Sequence, residues 1–139
     1  DPVKGTELTK AQISQGADVV YAAAGGTGVG VLQAAADADI LSIGVDANQN
    51  YMHPGKVLTS MLKRVDLAVY NAFSEGESLT TGFNVMGLAE DGVGYALDEH
   101  NESLVSAKMV STLEAEKAKI VSGQIKVHDY MSDNSCPVK

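Results

Sequence analysis

DVVYAAAGGTGVGVLQAAADADILSIGVD, running from Asp18 to Asp46, changes character three times. An apolar run, Val19–Ala24, meets a cluster of glycines at Gly25, Gly26, Gly28 and Gly30. A helical segment built of Val and Ala follows over Thr27–Ala36, and a second apolar run, Ile40–Val45, stops on Asp46. Strand, glycine turn, helix and strand make one βαβ unit. In open parallel sheets ligands sit beyond the carboxyl ends of the strands, so this unit predicts that Gly25, Gly26 and Asp46 share one site.

Outward from that unit, Lys4–Gln15 reads as a helix with Pro2 ahead of it and Gly16 as its stop. On the other side, Lys56–Met61 predicts a third strand. The clearest helix comes next: Val65, Ala68, Val69, Ala72 and Phe73 fall at i, i+3, i+4, i+7 and i+8, one apolar stripe that Gly76 ends. Gly82–Leu88 and Val93–Leu97 flank Glu90-Asp91-Gly92 and predict a hairpin. Ser106 is placed as the N-cap of a last helix reaching Ser122, with Gly123 at its C′ position. After Val127 no period is visible, and the tail reads as loop. The alternation of helix and strand predicts an α/β, Rossmann-like layered lobe around a parallel sheet. The chain opens at the start of a helix, where such an architecture wants a preceding strand. The expectation is a piece of a larger protein, cut just after a strand.

Composition narrows the function classes. The chain has 139 residues, 45% apolar and 20% charged, which suits one globular domain with a modest core. There is no Trp, and aromatics make up 5%, so the core is built from Val, Ala, Leu and Ile. A net charge of -8, with no basic run, argues against nucleic acid or an anionic membrane surface as partner. No apolar stretch approaches the ~20 residues that span a bilayer. His53, His100 and His128 are far apart and lack metal-ligand spacing, and no Ser–His–Asp or paired-carboxylate pattern stands out. The expectation is a protein with no catalytic residues, metal or cofactor. Cys136 is the single cysteine, which rules out an internal disulfide and leaves either a thiol outside any disulfide or a bridge to a segment outside the chain.

Four segments carry a resemblance: DPVKG at Asp1–Gly5, AAAGGTGVGV at Ala22–Val31, IGVDANQ at Ile43–Gln49 and VLTSMLKRVDLAVY at Val57–Tyr70. With SGQIKVHDY at Ser122–Tyr130 they cover nearly the whole chain in order. The sequence resembles the basic membrane protein family, solute receptors of ABC importers whose best-understood group binds purine nucleosides. The resemblance implies a type I periplasmic binding protein, two α/β lobes closing on a ligand. Residues 1–139 would be the second lobe plus the C-terminal segment. The first lobe, with its ring-stacking platforms for the base, would lie outside them. The helix over 63–76 would pack on that first lobe, and Cys136 would pair with a cysteine there. The partners implied are a purine nucleoside and a membrane permease. The location implied is periplasmic or extracytoplasmic, with a lipoprotein anchor as one form.

The candidate site residues have a chemistry of their own. A ribose offers a cis-diol, two donors side by side, and a carboxylate has two acceptor oxygens to match. Asp46 at a strand end suits that role; an Asp that caps the following loop would look the same. Gly25 and Gly26 let a ligand approach the main chain, and their N–H groups near a helix start favour hydroxyl oxygens or anions. A tight turn needing positive φ accounts equally for Gly26 and Gly28, while Val29, Gly30 and Val31 suit helix packing. Lys63 can donate to a hydroxyl and balance the charge of Asp46. By the resemblance, Asp46 is the ribose-binding aspartate, Gly25 lies at the sugar and Lys63 is a second sugar contact. Arg64 and Asp66 suit a local ion pair.

Two rival readings share this pattern. Asp46 stands 20 residues after Gly26, near the spacing of a ribose-binding acid in an NAD-type dinucleotide-binding enzyme. The G-x-G-x-x-G fingerprint fails, however, because its third glycine position from Gly26 is Val31. The other rival is a ligand-sensing regulatory domain of the same fold.

Overall fold

The computed structural model describes residues 1–136. They divide into two compact units, Asp1–Ser106 and a second beginning at Ala107. The first unit contains the sheet. Its elements are α1 (Pro2–Ser14), β1 (Val19–Tyr21), α2 (Gly28–Asp37), β2 (Leu41–Asp46), β3 (Val57–Lys63), α3 (Val65–Glu75) and β4 (Val93–Tyr95). The strands lie in the order β1-β2-β3-β4. The pairs β1–β2 and β2–β3 are parallel, and β4 runs antiparallel to β3. This is the expected α/β lobe with a largely parallel sheet.

Each boundary has a local cause. α1 starts two residues earlier than the apolar pattern indicates, because the Asp1 side chain accepts from the Lys4 N–H at 3.1 Å and Pro2 sits in the first turn. β3 runs two residues beyond Met61 because β4 pairs with its end, Lys63 opposite Val93. Lys63 is therefore the last residue of the strand and does not lie beyond it. α3 begins and ends as its stripe predicts, with Gly76 at φ +54 beyond it.

The core joins α2 to the sheet. Val20, Val31 and Ala35 form a buried cluster, with Ala17, Ala22 and Ile40 packed against it. Leu32 and Val57 are fully buried. α1 packs on α2 through small residues, and its buried positions are Gly5 and Thr9. A Cβ on Gly5 would lie 2.5 Å from the Thr27 carbonyl oxygen. A Cβ on Gly30 would run into the Pro2 carbonyl, with its carbon 2.7 Å away. The Thr6 hydroxyl bridges the contact, 3.1 Å from both the Pro2 and Gly30 carbonyl oxygens. Gly30 and Val31 thus serve helix packing, as expected, whereas Val29 is left 43% exposed.

Two expectations fail. Gly82–Leu88 and Val93–Leu97 do not form a hairpin. Residues 83–87 have no regular structure, and Val93–Tyr95 pairs with β3 instead. The Gly92 N–H donates to the Gly87 carbonyl at 2.9 Å across the turn, but no strand pairing continues beyond that bond. Phe83 and Val85 are left exposed. In the second unit, α4 (Ala107–Val121) matches the last predicted helix, and Gly123 takes φ +76 just beyond it. The tail is not all loop, because Tyr130–Asp133 forms a single helical turn, α5. Asp129 caps it by accepting from the Met131 N–H at 2.9 Å. One turn is too short to show a period.

Among the described residues, nothing buries the stripe on α3. None of its residues is buried, and Val65, Val69 and Phe73 are 64%, 49% and 83% exposed. Among the described residues, no helix is long and apolar enough to cross a membrane.

Candidate ligand-binding site

The three parallel strands end along one edge, and each delivers a candidate residue there. Tyr21, the last residue of β1, pairs with Ile43, so the turn at Gly25 and the β2 terminus at Asp46 leave the sheet side by side. Asp46 pairs with Leu62, which places Lys63 next to it at the end of β3. The Lys63 ammonium meets Asp46 Oδ1 at 2.7 Å, with both side chains about half exposed. The hydrogen bond to Asp46, then its negative charge, holds the Lys63 ammonium above its ordinary pKa, and Tyr21 adds a smaller pull in the same direction. A carboxylate has about four lone-pair sites, so one ammonium leaves it capacity for further donors.

The glycine turn differs from its expected form in one respect. Positive φ falls on Gly25, at +53, and not on Gly26 or Gly28. Gly25–Thr27 makes a short 3-10 turn that leads into α2. A Cβ at either Gly25 or Gly26 would meet nothing within 4 Å, so the main chain there is open to a ligand. Gly28 instead opens α2 and is buried.

Behind Asp46 lies a polar network. Asn48 Nδ2 and Asn50 Nδ2 donate to Asp98 Oδ2 at 2.7 and 3.0 Å. Ser60 Oγ donates to Asn50 Oδ1 at 2.8 Å, and both residues are fully buried. Asn101 accepts from the Asp98 N–H and donates to the carbonyls of Leu58 and Ala96. The amides of Asn48 and Asn50, together with the His100 N–H, hold the Asp98 carboxyl below the usual carboxylate range. This network anchors the loop after β2 to β3 and to the segment after β4. It leaves no buried side-chain nitrogen or oxygen unsatisfied among the described residues.

Residues 1–130 match the family described as ABC transporter substrate-binding protein, PnrA-like. The chain belongs to that family.

It is similar to the following proteins and solved structure. Basic membrane protein D of Borreliella burgdorferi is 37% identical over 118 residues, which cover 81% of this chain and 34% of that protein. A Pyrococcus furiosus protein named as an uncharacterized lipoprotein is 40% identical over 91 residues, covering 60% of this chain and 23% of its own length. The crystal structure of an ABC transporter solute-binding protein from Aeropyrum pernix superposes with a TM-score of 0.79 at 29% identity. It covers 92% of this chain and 45% of the solved one. The chain thus spans less than half the length of each. The family is one of solute binders, and the fold is that of periplasmic-binding-protein-type receptors.

Gly25, Gly26, Asp46 and Lys63 meet at one sheet edge, and their supports carry no signal in the sequence. Tyr21 was counted only as part of a strand, although the end of β1 brings it to the same edge. Asp98 and Asn101 gave no signal, because they lie roughly 50 residues from the loop they hold. The ligand atoms of Asp98, Glu99 and His100 come within 4.8 Å of one another, a grouping that histidine spacing did not reveal. Asp98 is already committed to Asn48, Asn50 and the His100 N–H, so the group reads as loop structure. Arg64 and Asp66 do form the expected local ion pair, at 2.9 Å.

Proposed function

We propose that this chain is the second lobe and C-terminal segment of an extracytoplasmic receptor that serves an ABC importer. The ligand is a purine nucleoside, held through its ribose. The observation that carries this reading is the Asp46–Lys63 pair at the carboxyl edge of a parallel sheet, beside the open main chain of Gly25 and Gly26. Asp46 accepts from the 2′- and 3′-hydroxyls, Lys63 donates to a sugar oxygen and balances the charge of the carboxylate, and the glycine turn lets the sugar approach. No catalytic step is assigned. The net charge of -8 argues against nucleic acid as a partner.

Function then follows from closure. The ligand binds between this lobe and a first lobe, and it favours the closed form only by the extra contacts made there. A membrane permease takes the ligand from that form. Relatives named as lipoproteins support a lipid anchor on the whole protein. The uncovered stripe of α3 supports its packing on the first lobe. Replacing Phe73 with Ser should then destabilise the two-lobed protein by about 1.5 kcal/mol, the low end for burying a large apolar side chain. Thermal unfolding measures this, and an unchanged midpoint would show that α3 stays exposed.

Calorimetric titration of the two-lobed protein with guanosine, inosine, adenosine and NAD tests the ligand class. Saturable binding of a nucleoside is expected. Binding of NAD alone would favour a dinucleotide-binding enzyme, and no binding to any of the four would overturn the nucleoside reading.

A further inference from the structure

Asp46 occupies an unusual backbone position. Its φ is +71, and the Ala47 N–H donates back to the Val45 carbonyl at 2.9 Å. A bond from residue i+2 to residue i around a central residue with positive φ defines the rare, strained kind of γ-turn. Such a conformation persists only where its surroundings over-determine it. Here the surroundings can be named. The Val45 N–H, immediately before Asp46, donates to Gln49 Oε1 at 2.9 Å. The Gln49 main-chain N–H donates to Ser60 Oγ at 3.0 Å, and that hydroxyl donates to buried Asn50. Gln49 thus reaches back along β2 and grips the first residue of the turn.

The strand has been shaped to admit it. A Cβ on Gly44 would lie 2.9 Å from Gln49 Oε1, 3.0 Å from Gln49 Cβ and 2.5 Å from Ser60 Oγ. Any other residue at 44 would displace the Gln49 side chain or the Ser60 hydroxyl. Both main-chain groups of Val45 are therefore engaged, one by Gln49 and one by the turn itself.

We propose that Gln49 is the positioning residue of the binding edge, clamping the γ-turn that aims the Asp46 carboxylate at Lys63 and at the ligand. The ligand half of this proposal rests on the receptor reading; the clamp does not. Asp46 at the end of a relaxed strand would be free to swing with its loop. Held in the turn, it meets its donors without first being ordered, which lowers the entropic cost of binding.

The test uses two variants of the two-lobed protein. Gln49→Met keeps the length and apolar stem of the side chain but removes the acceptor, while Gln49→Glu keeps the acceptor. Two quantities are read: the guanosine Kd by calorimetry, and the titration of the Lys63 ammonium by NMR without ligand. Gln49→Met should raise the Kd about tenfold, the effect of one lost hydrogen bond. It should also move the Lys63 titration down towards that of a free lysine. Gln49→Glu should restore both quantities towards wild type. A Gln49→Met protein with wild-type Kd and wild-type Lys63 titration would overturn the proposal, whatever its melting temperature. If the wild type binds no nucleoside, the receptor reading fails, and the Lys63 titration alone decides whether Gln49 positions Asp46.

Discussion

Replacing Asp46 with Asn should weaken nucleoside binding about 10- to 100-fold, the equivalent of roughly 1.5–3 kcal/mol for hydrogen bonds to a charged acceptor. The carboxylate offers acceptors on both oxygens, whereas the amide offers one acceptor and one donor. A diol that presents two donors would face the amide NH2 with one of them, and Lys63 would lose the charge that opposes its own. Folding should scarcely notice. Asn tolerates positive φ as Asp does, so the γ-turn at φ +71 is kept. The pair lost with Lys63 is about half exposed on both sides, and such pairs contribute about 0–1 kcal/mol. Calorimetry and thermal unfolding on the same samples separate the two effects. A large fall in melting temperature with unchanged affinity would make Asp46 a loop cap and not a ligand contact.

Gly30→Val should produce the opposite pattern, a loss of stability of about 3 kcal/mol through overpacking. The first added carbon would run into the Pro2 carbonyl and would lie 2.9 Å from Thr6 Oγ1. The Pro2 carbonyl is main chain in the first turn of α1, so no rotamer change relieves the clash and the helices must separate. Separation also breaks the Thr6 hydroxyl contacts at 3.1 Å and uncovers Thr9. Chemical denaturation measures the loss, read from the midpoint with the slope held. An unchanged midpoint would mean that α1 is not firmly seated on α2. The comparison is useful because one variant should lose affinity and keep stability, while the other should lose stability first.

Much of this organisation was legible in the sequence. The βαβ unit announced itself because three physical signals coincide within Asp18–Asp46: apolar runs of strand length, glycines at the turn and a terminal acid. α3 was legible from its stripe, and it was the resemblance, not the stripe, that led to the expectation that its cover lies outside residues 1–139. Failures came where structure depends on partners distant in sequence. Alternation in Gly82–Leu88 and Val93–Leu97 marks residues able to form strands but does not name a neighbour, and β3 took Val93–Tyr95 for itself. The division after Ser106 is equally silent, since no Pro- or Gly-rich linker marks it.

The candidate site shows the same limit. Strand ends placed Gly25, Asp46 and Lys63 on one edge, and that much follows from parallel topology. The positive φ of Gly25 in place of Gly26 follows from the detail of the 3-10 turn, which a run of glycines leaves undetermined. The γ-turn at Asp46 was invisible, because Asp is an ordinary loop residue and only the Ala47–Val45 bond reveals the strain. Asn48, Gln49 and Asn50 are three polar residues in a row, and nothing in their order tells that Gln49 turns back to β2 while the two asparagines reach Asp98.

The most direct measurement is a cycle on the ribose itself: guanosine and 2′,3′-dideoxyguanosine titrated into the wild-type two-lobed protein and into its Asp46→Asn variant. If Asp46 reads the diol, removing both hydroxyls should cost the wild type about 10- to 100-fold in affinity and should cost the variant little. An equal loss in both proteins, or no loss in the wild type, would contradict ribose recognition by Asp46.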